Sequence, residues 1–405
     1  MEGFDFNTVV ERRGSCCYKW DSPLPEGVDL SAEQRRDIVP MWVADMDFPV
    51  APCVQKALEK RVSHGVFGYV KVPDSFYYSI KDWFEQRHGT HFEREWMLYT
   101  TGVVPAISAS VKALTSPGDG VIVQTPVYNC FFSSIRNSGC RVVASPLRRL
   151  SAEEGSFSYE MDFDSLEELC SDPSNKILLL CNPHNPAGRL WRADELRRAG
   201  EIALRHGVIV ISDEIHCEIV APGSRYVPFS SLGEKFCHGS ITLLSPSKSF
   251  NFAGLKMAAI VCYDPLWKSA IDRVLNIYEI CDVNPFGHVA VQAAYTPEGA
   301  RWLDGMNRGV FSNYETLRRR FASELPAMPV CRLEATYLVW IDTSVLGMSS
   351  EKIENELLEG EQVWINAGSM YGADGYIRVN VACPPVLFAR GLDRLIAGLK
   401  RLSTK

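Results

Sequence analysis

Short, near-continuous apolar runs punctuate the middle of the chain at Val121–Val123, Ile177–Leu180, Val208–Ile211 and Ile241–Leu244. They are too short for helices and lack the alternation of a half-exposed strand, so they predict strands covered on both faces. Between them lie stretches with helical character, such as Arg192 to His206, rich in Ala, Leu, Glu and Arg. This order predicts an α/β domain with a mostly parallel sheet, whose ligands gather at the carboxyl ends of the strands. Beyond about Arg301 helices mix with strand-like runs at Thr336–Ile341 and Tyr376–Val381. The expected organisation is a large α/β domain over 51–295 and a smaller α+β domain built from 1–50 together with 296–405.

Charge and composition narrow the choice of partners. With 42 basic against 49 acidic residues, a formal charge of −7, nucleic acid is not the expected partner. No apolar run approaches the length of a membrane span. The opening Met1–Asn7 has neither a basic stretch nor an apolar core, so no signal peptide is expected. Thirteen cysteines without a Cys-x-x-Cys pair read as reduced thiols of a cytoplasmic protein. The eight histidines include no His-Glu-x-x-His arrangement, and no metal site is expected.

Several strand-end motifs converge on one chemistry. Ser245-Pro-Ser-Lys-Ser follows the run Ile241–Leu244 and sets Lys248 among small hydroxyl residues at a sheet edge. An amine so placed suits a lysine forming a Schiff base with a phosphorylated aldehyde, pyridoxal phosphate. Taken alone such a run is usually a solvated loop, and its weight comes from its partners. Asp213 ends the segment Ile211-Ser-Asp; buried beside a pyridine nitrogen it would keep that nitrogen protonated, although an isolated acid there reads better as a helix cap or loop acid. Asn182, in Cys181-Asn-Pro-His-Asn-Pro-Ala-Gly, can donate to the cofactor's phenolic oxygen, the competing reading being a structural Asn-Pro turn. In Thr100-Thr-Gly-Val-Val-Pro the amides of Gly102, Val103 and Val104 can bind a phosphate at the positive end of a helix. Ser245, Ser247 and Lys256 would complete that cup. Tyr128 can stack on the ring, with core packing an equal alternative. Arg378, in the alternating run Tyr376–Val381, can clamp a substrate carboxylate through a bidentate pair.

Together these residues resemble the class I/II aminotransferase superfamily of fold-type I pyridoxal-phosphate enzymes, and within it the MalY/PatB-type cystathionine β-lyases, or C–S lyases. The likeness runs from Met41 to about Pro384, through Met41–Phe48, His64–Tyr69, Asn182–Trp191, Ser212–Glu218, Asn284–Gly287 and Ala335–Trp340. The resemblance implies a seven-stranded, mostly parallel sheet between helices. It also implies Lys248 as the Schiff-base lysine, Asp213 as partner of the pyridine nitrogen, Asn182 as phenolic-oxygen donor and Tyr128 over the ring. Ser245, Ser247, Lys256, Gly102 and Val103 would surround the phosphate, and Arg378 with Ala44 and Asp45 would hold the substrate. Tyr69 would reach the phosphate region of the neighbouring subunit, making a two-fold homodimer the minimal active unit.

His216 stands where aminotransferases of the superfamily carry a tyrosine; it joins the cofactor-binding set with no firm catalytic role. Pro384-Pro385 and Tyr371 replace residues that in lyase relatives are often basic and commonly phenylalanine, departures that bear on the substrate pocket. The implied reaction is α,β-elimination from L-cystathionine or a related L-cysteine S-conjugate, giving a thiol such as homocysteine, pyruvate and ammonia. An amino-acid aminotransferase is the rival, because the shared motifs serve both reactions. A regulatory protein that kept the fold is a third reading, against which stand the retained lysine and aspartate.

Overall fold

β-Branched and leucine-rich runs become strands of two sheets in the computed structural model, which describes residues 3–152 and 155–404. Met1 and Glu2 of the opening segment lie outside these. The first sheet has seven strands in the order Met97–Thr100, Ala258–Cys262, Ser240–Leu244, Ile209–Asp213, Asn175–Cys181, Gly120–Val123 and Arg141–Ala144. Neighbours are parallel except at Ala258–Cys262, which is antiparallel to both of its partners. The four apolar runs read from the sequence lie at the sheet's centre, where side chains such as Ile177 and Leu180 are fully buried. The helix expected at Arg192 spans Ala193–Arg205.

A second sheet of six strands runs Asn366–Ala367, Tyr376–Asn380, Leu338–Asp342, Val330–Cys331, Ser156–Glu160 and Arg148–Ser151. Its last two strands come from within 51–295. They cross over because Ser156 and Phe157 pair in parallel with Val330 and Cys331, which also buries the Phe157 ring.

The early chain is fastened beside this sheet. Val39–Pro40 pairs in parallel with Val363–Trp364 as a separate two-stranded sheet, and the Asn380 amide of the second sheet donates to the Met41 carbonyl at 2.8 Å. The Asn380 side chain donates to the carbonyls of Val43 and Asp45, each at 2.6 Å. From the opposite side Asn251, beyond the end of Ser240–Leu244, holds the same segment. Its side chain accepts from the Met46 amide at 3.0 Å and donates to the carbonyls of Met46 and Phe48 at 2.9 and 2.7 Å. Residues 41–48 therefore tie one sheet to the other.

Four charges pin residues 12–21 onto that tie. Lys19 lies 2.6 Å from Asp47 and 3.6 Å from Asp45, while Arg12 reaches both acids at 2.6 Å. The Trp20 indole donates to Asp47 at 2.8 Å. Burial opposes the Lys19 charge, yet the two acids hold its pKa above that of an ordinary lysine. Such a cluster is tolerated inside a protein only while every charge keeps its partner. Asp47→Ala should therefore cost about 3–5 kcal/mol in urea unfolding at pH 7; a loss below about 1 kcal/mol would mean that Lys19 does not depend on Asp47.

Candidate active site

Strand ends and a helix start meet around a cavity of about 530 Å³. Asp213, last in its strand, is in register with Cys181 on one side and Leu243 on the other. In-register neighbours of a parallel sheet point to the same face, and Asp213 and Cys181 both line the cavity. The Asp213 carboxylate accepts from the Ile215 amide at 3.1 Å, and burial lifts its pKa to about 7. Glu214 is enclosed elsewhere: it accepts from the Ser212 hydroxyl at 2.8 Å, the Phe229 amide at 3.0 Å, Asn182 Nδ2 at 3.4 Å and the Tyr226 hydroxyl.

Lys248 stands on the cavity wall with its Nζ donating to the Ala44 carbonyl at 2.7 Å, and the Tyr337 hydroxyl donates to the same oxygen at 3.1 Å. Burial lowers the Lys248 pKa to about 8. An amine so perturbed loses its proton near neutrality and becomes a nucleophile or base.

The helix Val103–Leu114 opens onto the cavity at Gly102, whose φ of 152° is a conformation that side chains other than glycine's disfavour. Its first turn closes with the Ala106 amide donating to the Gly102 carbonyl at 3.0 Å. The amides of Val103 and Val104 therefore have no partner within the helix, and Pro105 has none to offer. With Ser247 and the rim residue Lys256 on the same wall, this end of the cavity suits a dianionic group.

Among the cofactor ligands expected from within the subunit, Asn182 and Ser245 do not face the cavity. Asn182 is fully buried and off the cavity wall, its Nδ2 donating to the Val227 carbonyl at 3.0 Å and toward Glu214. Pleating explains this: Cys181 faces the cavity, so the next side chain faces the other side. Asn185 takes its place on the wall, its Oδ1 accepting from Arg378 Nη1 at 3.3 Å, which leaves the amide nitrogen as the group able to donate. Ser245 stands one layer back, its hydroxyl donating to the Met257 carbonyl at 2.7 Å and accepting from the Ser247 amide at 3.2 Å.

Arg378 lies behind Asn185, 3% exposed, with Nη2 on the Trp42 carbonyl at 2.9 Å and the guanidinium 4.6 Å from the Tyr371 ring centre. Its Nε has no hydrogen-bond partner, and its other contacts are to a side-chain amide and a carbonyl, not to a carboxylate. An interior cation in that condition is a receptor for an incoming carboxylate. His216 and Tyr128 are on the cavity wall. Burial lowers the His216 pKa to about 3, and its neutral ring leaves Nδ1 unpartnered. Ala44 is on the wall; Asp45 borders an adjoining cavity. Tyr69 is off this wall with its side chain fully exposed.

Asn185, Trp42, Tyr337 and Arg12 were missed by the sequence reading. Only Asn185 had a usable signal, as the first residue of the second Asn-Pro pair beyond the same strand end.

These donors fit pyridoxal phosphate. A buried acid faces the cavity nearly unpartnered, an amine of lowered pKa shares its wall, and a helix start with an adjacent cation closes one end. One consequence concerns the cofactor-free protein. Because folding raises the Asp213 pKa, this carboxyl's own contribution to stability should fall as pH rises from about 4 to 7, by up to about 4 kcal/mol, while the buried neutral rings of His216 and His184 act in the opposite sense. Urea unfolding of wild type and Asp213→Asn at pH 5 and 7.5 isolates it: wild type should lose about 2–3 kcal/mol relative to the variant between the two.

The aminotransferase class I and II family model matches residues 36–395. Cystathionine beta-lyase PatB of Bacillus subtilis is 36% identical over 98% of this chain and 100% of its own length. Protein MalY of Escherichia coli is 32% identical over 98% and 99%. The structure of the pyridoxal-phosphate-bound C–S lyase from Staphylococcus hominis superposes with a TM-score of 0.85 at 30% identity, covering 98% of this chain and 99% of that one. With the family's pattern matched over nearly its whole length, the chain belongs to the aminotransferase class I and II family.

Proposed function

We propose that the protein is a pyridoxal-phosphate-dependent carbon–sulfur β-lyase. It cleaves L-cystathionine or a related L-cysteine S-conjugate to a thiol, pyruvate and ammonia. The observation that carries this reading is one cavity holding both an amine of lowered pKa, Lys248, and an acid of raised pKa, Asp213. The full-length likeness to PatB and to the Staphylococcus hominis C–S lyase supports the choice of reaction.

Bound in this cavity, pyridoxal phosphate supplies an electron-withdrawing ring that takes up the electron pair left at Cα when its proton departs. Asp213 would hold a proton on the ring nitrogen, Asn185 would donate to the ring oxygen, and Val103, Val104, Ser247 and Lys256 would bind the phosphate. Arg378 takes the substrate α-carboxylate, which brings Cα to Lys248. Lys248 Nζ removes the Cα proton, and the C–S bond then breaks with both electrons leaving on sulfur. Protonated Lys248 is the nearby acid that can return a proton to the thiolate. Water hydrolyses the remaining unsaturated amino acid to pyruvate and ammonia.

A homodimer belongs to the same reading. The loop before Val70 exposes Val66, Phe67 and Tyr69, an apolar surface suited to cover by a second copy. Thirteen free thiols fit a reducing, cytoplasmic setting. Among the described residues no helix is long and apolar enough to cross a membrane.

Lys248→Ala should abolish the visible absorbance of the bound cofactor and lower pyruvate release from L-cystathionine at least about 1000-fold; near-normal turnover would refute the assignment. With wild-type protein and no keto acid, elimination continues over many turnovers, whereas transamination stops after one equivalent. Arg378→Ala should lower kcat/KM about 100-fold, chiefly through KM, if its guanidinium binds the α-carboxylate.

A further inference from the structure

The carbonyl of Ala44 takes two donors, Lys248 Nζ at 2.7 Å and the Tyr337 hydroxyl at 3.1 Å. A carbonyl oxygen has two lone pairs, so both are in use. The oxygen cannot turn away, because the carbonyls on either side of it, at Val43 and Asp45, are held by Asn380. Tyr337 is equally fixed. It is fully buried, its own carbonyl accepts from the Val381 amide at 3.0 Å, and its ring meets that of His216 edge to face with centres 6.1 Å apart. Thr336, just before it, has a φ of 69°, a left-handed conformation that a β-branched residue seldom adopts, and its amide donates to the Ile219 carbonyl at 2.8 Å. A backbone held against its preference beside a buried phenol places that hydroxyl.

Burial holds the Tyr337 phenol well above its ordinary titration range, so it stays a donor through neutral and mildly basic pH. The positive end of its O–H dipole is aimed at the oxygen that the amine also uses. That dipole opposes an ammonium at Nζ and is nearly indifferent to a neutral amine. We propose that Tyr337 is a positioning residue for Lys248: by sharing the Ala44 carbonyl it weakens that oxygen's grip on the protonated amine, so that Nζ is released as a free base. The inference rests on the lyase reading for what the amine then does, and adds a residue that acts through it. Other titratable and charged groups face Lys248 from the surrounding elements. They are Asp45 of residues 41–48, Asp213 at its strand end and His216 beyond it, Cys130 of the helix Asn129–Asn137, Arg378 of the second sheet, and Tyr128 and Lys256 on the cavity wall. All of these are kept in Tyr337→Phe, so their effects cancel in a comparison with wild type.

The experiment mixes full-length, cofactor-free protein with pyridoxal phosphate and follows the rate at which visible absorbance appears, from about pH 6 to about pH 10. Wild type is compared with Tyr337→Phe, and Lys248→Ala gives the blank. The wild-type rate should rise through about pH 8, where burial sets the Lys248 amine. The Tyr337→Phe profile should lie about 0.5–1 pH unit higher, which makes the variant about three- to ten-fold slower at about pH 7 and nearly equal to wild type at about pH 10. The acid limb of kcat for pyruvate release from L-cystathionine should move by the same amount. The variant loses one oxygen atom and keeps the ring, and any unfolded fraction slows it equally at every pH, leaving the displacement unchanged. A displacement below about 0.3 unit, or slowing by one factor at all pH values, overturns the inference and leaves the lyase reading standing. If the displacement is seen but wild type releases no pyruvate from L-cystathionine, the lyase reading falls and the action of Tyr337 on the amine stands.

Discussion

The hydrogen bond from Lys248 to the Ala44 carbonyl is the joint on which the site is built. Lys248 belongs to the loop after a central strand of the first sheet, and Ala44 to the segment laced onto the second. The contact fixes where the amine sits relative to Arg378, which is held by the Trp42 carbonyl of the same segment. One short stretch of backbone thus sets the spacing between the base and the carboxylate receptor. Its position is over-determined, with Asn251 on one side, Asn380 on the other and a buried ion cluster beneath.

Apart from Glu214, which neutral donors enclose, two sets of buried ionisable groups contrast in one respect. Lys19 and Asp47 satisfy each other and are structural, as are Arg189 and Glu195, which pair at 2.9 Å in the interior. Asp213, Lys248 and Arg378 lack an internal counter-charge in contact and all gather at one place. Desolvation without compensation is costly, so its concentration at a single cavity marks where a ligand restores the balance.

Most of the fold was legible because the strongest signal coincides with the deepest burial. Ile177–Leu180 and Ile241–Leu244 are continuous apolar runs because both faces of their strands are covered. Ala258–Cys262 was passed over since its leading alanines carry little β preference, and Arg141–Ala144 because an edge strand keeps exposed residues. The site was legible wherever a residue ends a strand and faces its ligand directly, as Asp213 does. It misled where two chemically identical candidates stood three positions apart in a turn. Asn182 and Asn185 differ only in which way the chain faces, and composition carries no record of that. Lys19 was invisible for another reason: a lysine near the start of a chain reads as surface, and its partner Asp47 becomes adjacent only after folding.

Asp213 and Glu214 are consecutive carboxyls with opposite fates. Glu214 is wrapped by four donors and is insulated from whatever fills the cavity; Asp213, with little more than one backbone amide, answers directly to it. The dipeptide works like a live terminal beside an earthed one. An isotope-edited infrared band from Asp213 would therefore report cofactor arrival, while the adjoining residue, one peptide bond away, would provide a silent control.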